Sequence, residues 1–370
     1  MTRNYLWASV AVLAGVIAPA LALADISIGA VGPMSGQYAV FGDQMRAGAE
    51  LAVADINAAG GLNGEKVVLE IGDDQCDAEQ AVAVANQMVG KGVAFVAGHF
   101  CSEASIAASA VYAKAGIVEI SPATAHPAFT DQRPGPGIFR LHGRADAQAK
   151  VAGEYLAGAF KDERIALLHD RTAYGKGLVD ATKDVMNDAG KSEALYEAYY
   201  AGQKDYSGLI SRLKSERIDV VYLGGYHADA GLIKRQMVEQ GLDIVLVSGD
   251  ALGTEAYWAI SGPAGEGTLM TLPPNPRENV EAASVAEALE AEGKPADSYA
   301  LTTYAAVQVW ADAVKRAGTP DFDPVVEALN AGTFETVLGT LTFDKKGDMS
   351  LPGYVWYVWK DGVYDRKSLR

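Results

Sequence analysis

Cysteine and histidine are scarce in this sequence, two and five among 370 residues. The histidines stand apart without metal-ligand spacing and no H-E-x-x-H occurs, so no metal site is expected. Walker and G-x-S-x-G motifs are missing as well, which removes P-loop and serine-hydrolase chemistry. The segment Gly29-Ala30-Val31-Gly32-Pro33-Met34-Ser35-Gly36 departs from G-x-G-x-x-G and carries a proline; a dinucleotide, or any other cofactor, is not expected. Positive charge is also short: 31 Lys and Arg against 47 Asp and Glu give a net charge of −16. Such a surface repels phosphate backbones, so nucleic acid is not a partner.

Charge is absent altogether between Arg3 and Asp25, and residues 6–23 are almost wholly apolar. Gly15 and Pro19 interrupt the run, which ends in Ala22-Leu23-Ala24, the small-x-small pattern of a cleaved secretory signal. Residues 1–24 are therefore read as a signal peptide cut after Ala24, and the mature chain as periplasmic. No cysteine lies near the cut to carry a lipid, and no later run is long and apolar enough to span a bilayer. In an oxidising compartment Cys76 and Cys101 are expected to form a disulfide. The competing reading, a secreted thiol hydrolase, makes Cys101 a nucleophile with His99 as its base.

From residue 26 onward, short β-branched runs alternate with longer helical patterns, the signature of parallel sheets covered by helices. Strands are expected at 26–31, 66–71, 93–97 and 117–120, then at 165–169, 194–200, 220–223, 244–247 and 267–271. Periodicity lapses at Asp131–Gly137 and again at Leu272-Pro273-Pro274-Asn275-Pro276. Helical patterns resume at 280–291 and 300–317, and a β-rich end follows, with Asp361-Gly362 as a hairpin turn. The fold expected is α/β: two doubly wound, Rossmann-like lobes, each with a central parallel sheet, joined by a multi-strand hinge. The first lobe takes residues 25–144 and 273–350, the second 145–272 and 351–370.

In open α/β sheets ligands bind beyond the carboxyl ends of strands. After the third strand stands Gly98-His99-Phe100-Cys101-Ser102-Glu103. Ser102 serves either as the N-cap of the helix that follows or, with the helix dipole, as part of a carboxylate site. After the fourth stands Ser121-Pro122-Ala123-Thr124-Ala125-His126-Pro127, a rigid loop whose carbonyls could accept from an ammonium. In the second lobe Gly224-Gly225-Tyr226-His227 and Ser248-Gly249-Asp250 follow strands. Asp250 either counters a cation or is a solvated loop carboxylate or cap.

Ten short segments carry a resemblance: Gly-Pro-Met-Ser-Gly at 32–36, Gly-Asp-Gln at 42–44, Val-Ala-Asp-Ile-Asn-Ala at 53–58, Asp-Asp-Gln-Cys-Asp at 73–77 and Ala-Val-Ala-Val-Ala-Asn at 81–86. The rest are Gly-His-Phe-Cys-Ser at 98–102, His-Asp-Arg-Thr-Ala-Tyr-Gly at 169–175, Tyr-Leu-Gly-Gly-Tyr-His at 222–227, Thr-Thr-Tyr-Ala-Ala at 302–306 and Asp-Lys-Lys-Gly-Asp at 344–348. With these the chain resembles the leucine/isoleucine/valine-binding proteins of bacterial branched-chain amino-acid ABC transporters, which are type I periplasmic binding proteins. The resemblance implies two lobes that close on an amino acid and hand it to a membrane permease, with no catalysis and as a monomer. It places the cleft serine on Ser102, the alanine-rich loop on Ala123 to Ala125, the second-lobe tyrosine on Tyr226, the first-loop aromatic on Phe41 and the ammonium-facing acid on Asp250. Tyr174 and Tyr299 match cleft-lining positions, and the Cys76–Cys101 bridge is implied again.

The chain departs from the family at four points. Ala125 stands where the family has Thr, with the hydroxyl one residue earlier at Thr124; Asp250 replaces Glu; Phe41 replaces Tyr; and Phe100 fills space that a Leu-sized side chain would leave open. The expected ligand is a small or branched aliphatic amino acid, the small ones favoured over leucine; the alternative is an amide, urea or an aromatic acid.

Overall fold

A computed structural model describes residues 25–350 and 353–367; the expected signal peptide lies outside the described residues. The β-branched runs form the strands β1 (Ile26–Gly32), β2 (Val67–Asp73), β3 (Phe95–Gly98), β4 (Val118–Ser121) and β5 (Ile138–Arg140). They pair in the order β2-β1-β3-β4-β5, every pair parallel. A second set comprises β6 (Ile165–His169), β7 (Leu195–Ala198), β8 (Val220–Gly224), β9 (Val245–Ser248) and β10 (Leu269–Leu272). A short hairpin, β11 (Phe334–Thr336) with β12 (Gly339–Leu341), precedes β13 (Val355–Lys360) and β14 (Val363–Arg366). The second sheet runs β14-β13-β10-β9-β8-β6-β7, parallel from β7 to β10 and antiparallel at β13 and β14. Asp361 and Gly362, both at positive φ, make the β13–β14 turn, as Asp-Gly in a hairpin requires.

The two lobes are thus doubly wound α/β layers. The chain passes from the first sheet to the second after β5; after β10 its helices return to cover the first sheet, and β13 rejoins the second. Helix Ser298–Ala317 covers the first sheet and packs along helix Ala39–Ala58. The two approach closely at Gly48, where a Cβ would lie 2.0 Å from the Ala300 carbonyl oxygen. Trp310 of the same helix is fully buried and stacks on Phe95, their ring centroids 5.0 Å apart. In the second lobe helix Ala145–Ala159 packs on Ala173–Asp188, the latter capped by Thr172, whose hydroxyl accepts from the Gly175 N–H.

Some elements were not expected from the sequence. β5 has three residues and follows a proline- and glycine-rich stretch, too short to show alternation. Helices Glu255–Ser261 and Phe322–Ala331 were likewise unexpected. Arg140 ends β5 fully buried; its Nε donates to Asp348 Oδ1 at 2.7 Å, and its Nη1 to the carbonyls of Thr124 and His126 at 3.2 and 2.9 Å. A guanidinium with this fork of donors fixes the loop after β4 against the return passage of the chain.

Candidate functional site

Between the lobes, beyond the carboxyl ends of β3, β4 and β9, lies a narrow cavity of about 10 Å³. That is about the room of one water molecule, so the two lobes are closed on each other here. Phe100, Ser102 and Ala123 line it from the first lobe; Tyr174, Tyr226, Asp250 and Ala251 line it from the second; Tyr299 reaches in from helix Ser298–Ala317. Seven of the ten expected ligand residues therefore meet in one place, and Ala251 joins them.

The other three stand behind the wall. Phe41 stacks on Phe100 at 4.4 Å between centroids and meets Tyr299 edge-on at 5.5 Å. It holds Phe100 in the cavity without lining it. The Thr124 hydroxyl turns inward to Ser105 Oγ. It does not offer the displaced grip suggested by the sequence. Ala125 is buried and its carbonyl accepts from the Ala145 N–H at 2.8 Å.

Ser102 also differs from its expected cap role. Helix Ser102–Ala115 begins at Ser102 itself, with Cys101 as the N-cap residue. Its hydroxyl instead accepts from the His126 N–H at 3.3 Å, tying the two first-lobe loops together. Because Ser102 is the first residue of its helix and lines the cavity, the helix N-terminus still brings its partial positive charge to the cavity. Ser121 completes this edge: its hydroxyl donates to the His99 carbonyl at 2.8 Å and accepts from the Thr124 N–H at 3.0 Å.

Cys76 and Cys101 are bridged, with Cα atoms 5.3 Å apart, a separation suited to a disulfide. His99 is fully buried, its Nδ1 2.6 Å from Asp74 Oδ2 and its Nε2 3.0 Å from the Tyr112 hydroxyl. With the sulfur in a bridge and both ring nitrogens engaged, the Cys101–His99 pair offers no nucleophile and no free base. The thiol-hydrolase reading is set aside on these grounds.

Asp250 is 5% exposed and far from solvated. Its Oδ1 accepts from Gln148 Nε2 and the Tyr174 hydroxyl, each at 3.0 Å. Its Oδ2 accepts from the Tyr299 hydroxyl at 2.8 Å and from His142 Nε2 at 3.1 Å. Burial alone would raise its pKa, but His142, Tyr299 and Gln148 together hold it below the usual carboxylate range. Burial and then the Asp250 charge push the Tyr174 and Tyr299 hydroxyls well above their ordinary value, so both stay protonated and donate. His142 and Gln148 were not anticipated. His142 follows β5, a strand the sequence did not show, and Gln148 lies within helix Ala145–Ala159; neither matches a motif, and each meets Asp250 only through the fold.

The tyrosine of the second lobe completes the closure. The Tyr226 hydroxyl donates to Cys101 Sγ at 3.4 Å, and its ring lies 4.5 Å from that of Tyr38 and 5.3 Å from that of Tyr174. Among the described residues no group of His, Cys, Asp and Glu is placed to hold a metal ion, and no helix is long and apolar enough to cross a membrane.

The sequence profile of the family described as "Periplasmic binding protein" matches residues 25–362. The chain is 46% identical over 365 residues to "Leu/Ile/Val-binding protein homolog 1" of Brucella suis, covering 98% of this chain and 97% of that protein. Among solved structures it is similar to a leucine binding protein of Thermotoga maritima, with a TM-score of 0.85 and 23% identity over 93% of this chain and 98% of that one. An ABC transporter substrate-binding protein of Desulfitobacterium hafniense in complex with Leu gives a TM-score of 0.75 at 28% identity, over 93% and 100% of the two chains.

Proposed function

The chain belongs to the periplasmic binding protein family, and from that premise we propose that it is the substrate-binding component of an amino-acid ABC transporter. It binds a small or branched aliphatic amino acid in the periplasm and delivers it to a membrane permease. Cleavage after Ala24, a monomeric state, and the absence of catalysis and cofactor belong to the same proposal. The lobes that close are residues 25–144 with 273–350 and 145–272 with 351–370.

One observation carries the reading: a single small cavity is lined by groups of opposite charge preference. Ser102 and the N-terminus of its helix favour an anion; the buried, ionised Asp250, which lines the same cavity, favours a cation. A zwitterion satisfies both. Urea or an amide brings no charge to either group, and an aromatic acid would leave Asp250 without a cation, a buried mismatch that costs binding. The remaining walls are aromatic rings and two alanines, with Phe100 held forward by Phe41. That shape favours alanine- to valine-sized side chains over leucine.

Binding and closure are then one event. The ligand touches both lobes only when they are closed, so its differential affinity shifts the population toward that state. The bonds Tyr299–Asp250 and Tyr226–Cys101 close at the same time. Calorimetric titration with L-alanine, L-valine, L-leucine, L-proline, γ-aminobutyrate, urea and benzoate tests the proposal. Alanine and valine binding ahead of leucine supports it; urea or benzoate binding with every amino acid ignored overturns it.

A further inference from the structure

Three carboxylates meet at the junction of the lobes, and none of them lines the cavity. Glu103 stands in the first turn of helix Ser102–Ala115, in the first lobe; Asp170 follows β6 and Asp229 lies in the first turn of helix His227–Glu239, both in the second. Each aspartate is served on one oxygen alone. Asp170 Oδ1 accepts from the Thr172 N–H at 3.0 Å and from its hydroxyl at 2.7 Å; Asp229 Oδ1 accepts from the Tyr206 hydroxyl at 2.6 Å and from the Gly202 N–H at 2.8 Å. Asp170 Oδ2, Asp229 Oδ2 and Glu103 Oε2 are buried without a partner among the described residues. An acceptor left so is costly, and more so when it carries charge. The charges that bear most on Glu103 are those of Asp170 and Asp74, and on Asp170 that of Asp229, all negative. His227, which opens the helix of Asp229, is held neutral by burial, at about 4. With no group of His, Cys, Asp and Glu among the described residues placed to hold a metal ion, the cation that remains is the proton.

We propose that closing the lobes takes up protons from solvent at Glu103, Asp170 and Asp229, so that ligand binding is coupled to proton uptake and ligand release to proton release. A carboxyl group that gains a proton loses its charge and becomes a donor as well as an acceptor. The repulsion goes, and a cluster rich in orphan acceptors acquires donors. Opening parts Glu103 from the two aspartates, because they belong to different lobes, and the protons return to water. In the closed form burial, with repulsion from Asp170 and Asp74, brings Glu103 to about 7; burial, with repulsion from Asp229, brings Asp170 to about 6; burial raises Asp229 as well. The phenols packed around them keep their protons. Burial first, then these same carboxylates, pushes the hydroxyls of Tyr38, Tyr199, Tyr206 and Tyr226 above their ordinary value. Tyr226 joins the cluster to the cavity, which it lines while donating to Cys101 Sγ of the other lobe. The proton count therefore follows closure and not the ligand's own contacts, and is the same for every ligand that closes the lobes.

Calorimetric titration at pH 6.5 in phosphate and in imidazole buffer, whose heats of ionisation differ, counts the protons. With L-alanine, L-valine or L-leucine, whichever binds the wild type, uptake of between about half a proton and one per ligand is expected, falling toward none at pH 8.5. Glu103→Gln is expected to lose more than about half of that uptake and, because an amide needs no proton, to bind at pH 8.5 at least as tightly as the wild type. A junction merely damaged by the substitution would bind more weakly at every pH. Asp170→Asn is expected to remove the smaller share; should it fail to fold for want of its Thr172 contacts, Glu103→Gln suffices by itself. No uptake at pH 6.5, release in place of uptake, or uptake that Glu103→Gln leaves unchanged overturns the proposal. Affinity that follows sodium at constant ionic strength, with no proton taken up, overturns it too. A wild type that binds none of the amino acids ends the functional reading instead. Small-angle scattering of the ligand-free protein then tests the proton coupling: a smaller radius of gyration at pH 5.5 than at pH 8.5 supports it, and equal radii overturn it.

Discussion

Two sets of buried carboxylates lie at the junction of the lobes, and the fold treats them in opposite ways. Asp250 has four donors and keeps its charge. Glu103, Asp170 and Asp229 are under-supplied: Glu103 Oε2, Asp170 Oδ2 and Asp229 Oδ2 have no partner among the described residues, nor has the nearby Tyr199 hydroxyl. Tyr199 and Asp170 crowd the same spot, since a Cβ on Gly225 would lie 2.3 Å from the one hydroxyl and 3.1 Å from Asp170 Oδ2. Burial raises all three; repulsion from Asp170 and Asp74 adds to it at Glu103, which reaches about 7, and repulsion from Asp229 at Asp170, which reaches about 6. Glu103 belongs to the first lobe and the two aspartates to the second. A carboxylate meant to hold charge is given donors; carboxylates pressed together by closure are left to take up protons.

The largest effect expected from this contrast is at Asp250. Asp250→Asn removes a buried charge from four donors and is expected to cost about 3 kcal/mol of ligand binding, on the order of a hundredfold in Kd. Retention of wild-type affinity by calorimetry would dissolve the distinction between the two sets.

A smaller effect is expected from pH. Solvated in the open form, Glu103 and Asp170 return toward ordinary values near 4; closure raises them, so the closed state binds more protons. Their contribution to closure is complete below the ordinary carboxylate range and is lost as pH rises through about 6 and 7. Asp250 has the opposite sign, its contribution being lost only as pH falls through a depressed value, below the window of interest. The groups that face this cluster are Tyr38, Tyr199, Tyr206 and Asp74. Ligand affinity is therefore expected to rise about tenfold from pH 8 to pH 5.5, and Glu103→Gln with Asp170→Asn to flatten the profile. Affinity falling over that interval would reverse the argument. The smallest effect concerns shape: Phe100→Leu is expected to improve leucine relative to alanine by about 1 kcal/mol, the worth of roughly one methylene of room. An unchanged ratio in parallel titrations would show that Phe100 does not set the size limit.

Much of this is legible in the sequence, and the division is physical. The strand Ile165–His169 matched its expected bounds because a fully buried parallel strand is a continuous apolar run. The residues after β3, β4, β8 and β9 could be read as cavity residues because parallel sheets put binding loops there. Thr124 could not be read correctly, since a one-residue offset in a tight loop decides whether a hydroxyl faces ligand or core, and here it faces Ser105. Ser102 looked like a cap, but the helix starts at Ser102 itself, two residues before the expected Ala104. His142 and Gln148 stayed invisible because they reach Asp250 across 108 and 102 residues of chain. The Glu103–Asp170–Asp229 cluster was hidden for the same reason. Its members come from different lobes and share no motif.

The central claim is that one small closed cavity recognises a zwitterion, an anion at Ser102 and a cation at Asp250. Thermal melting with L-alanine, with propionate, which lacks the ammonium, and with ethylamine, which lacks the carboxylate, tests it most directly. A ligand at about 100 times its Kd adds roughly 2.7 kcal/mol of stability, so a clear rise in Tm with alanine and none with either fragment is the predicted result. A rise with propionate equal to that with alanine would contradict the account.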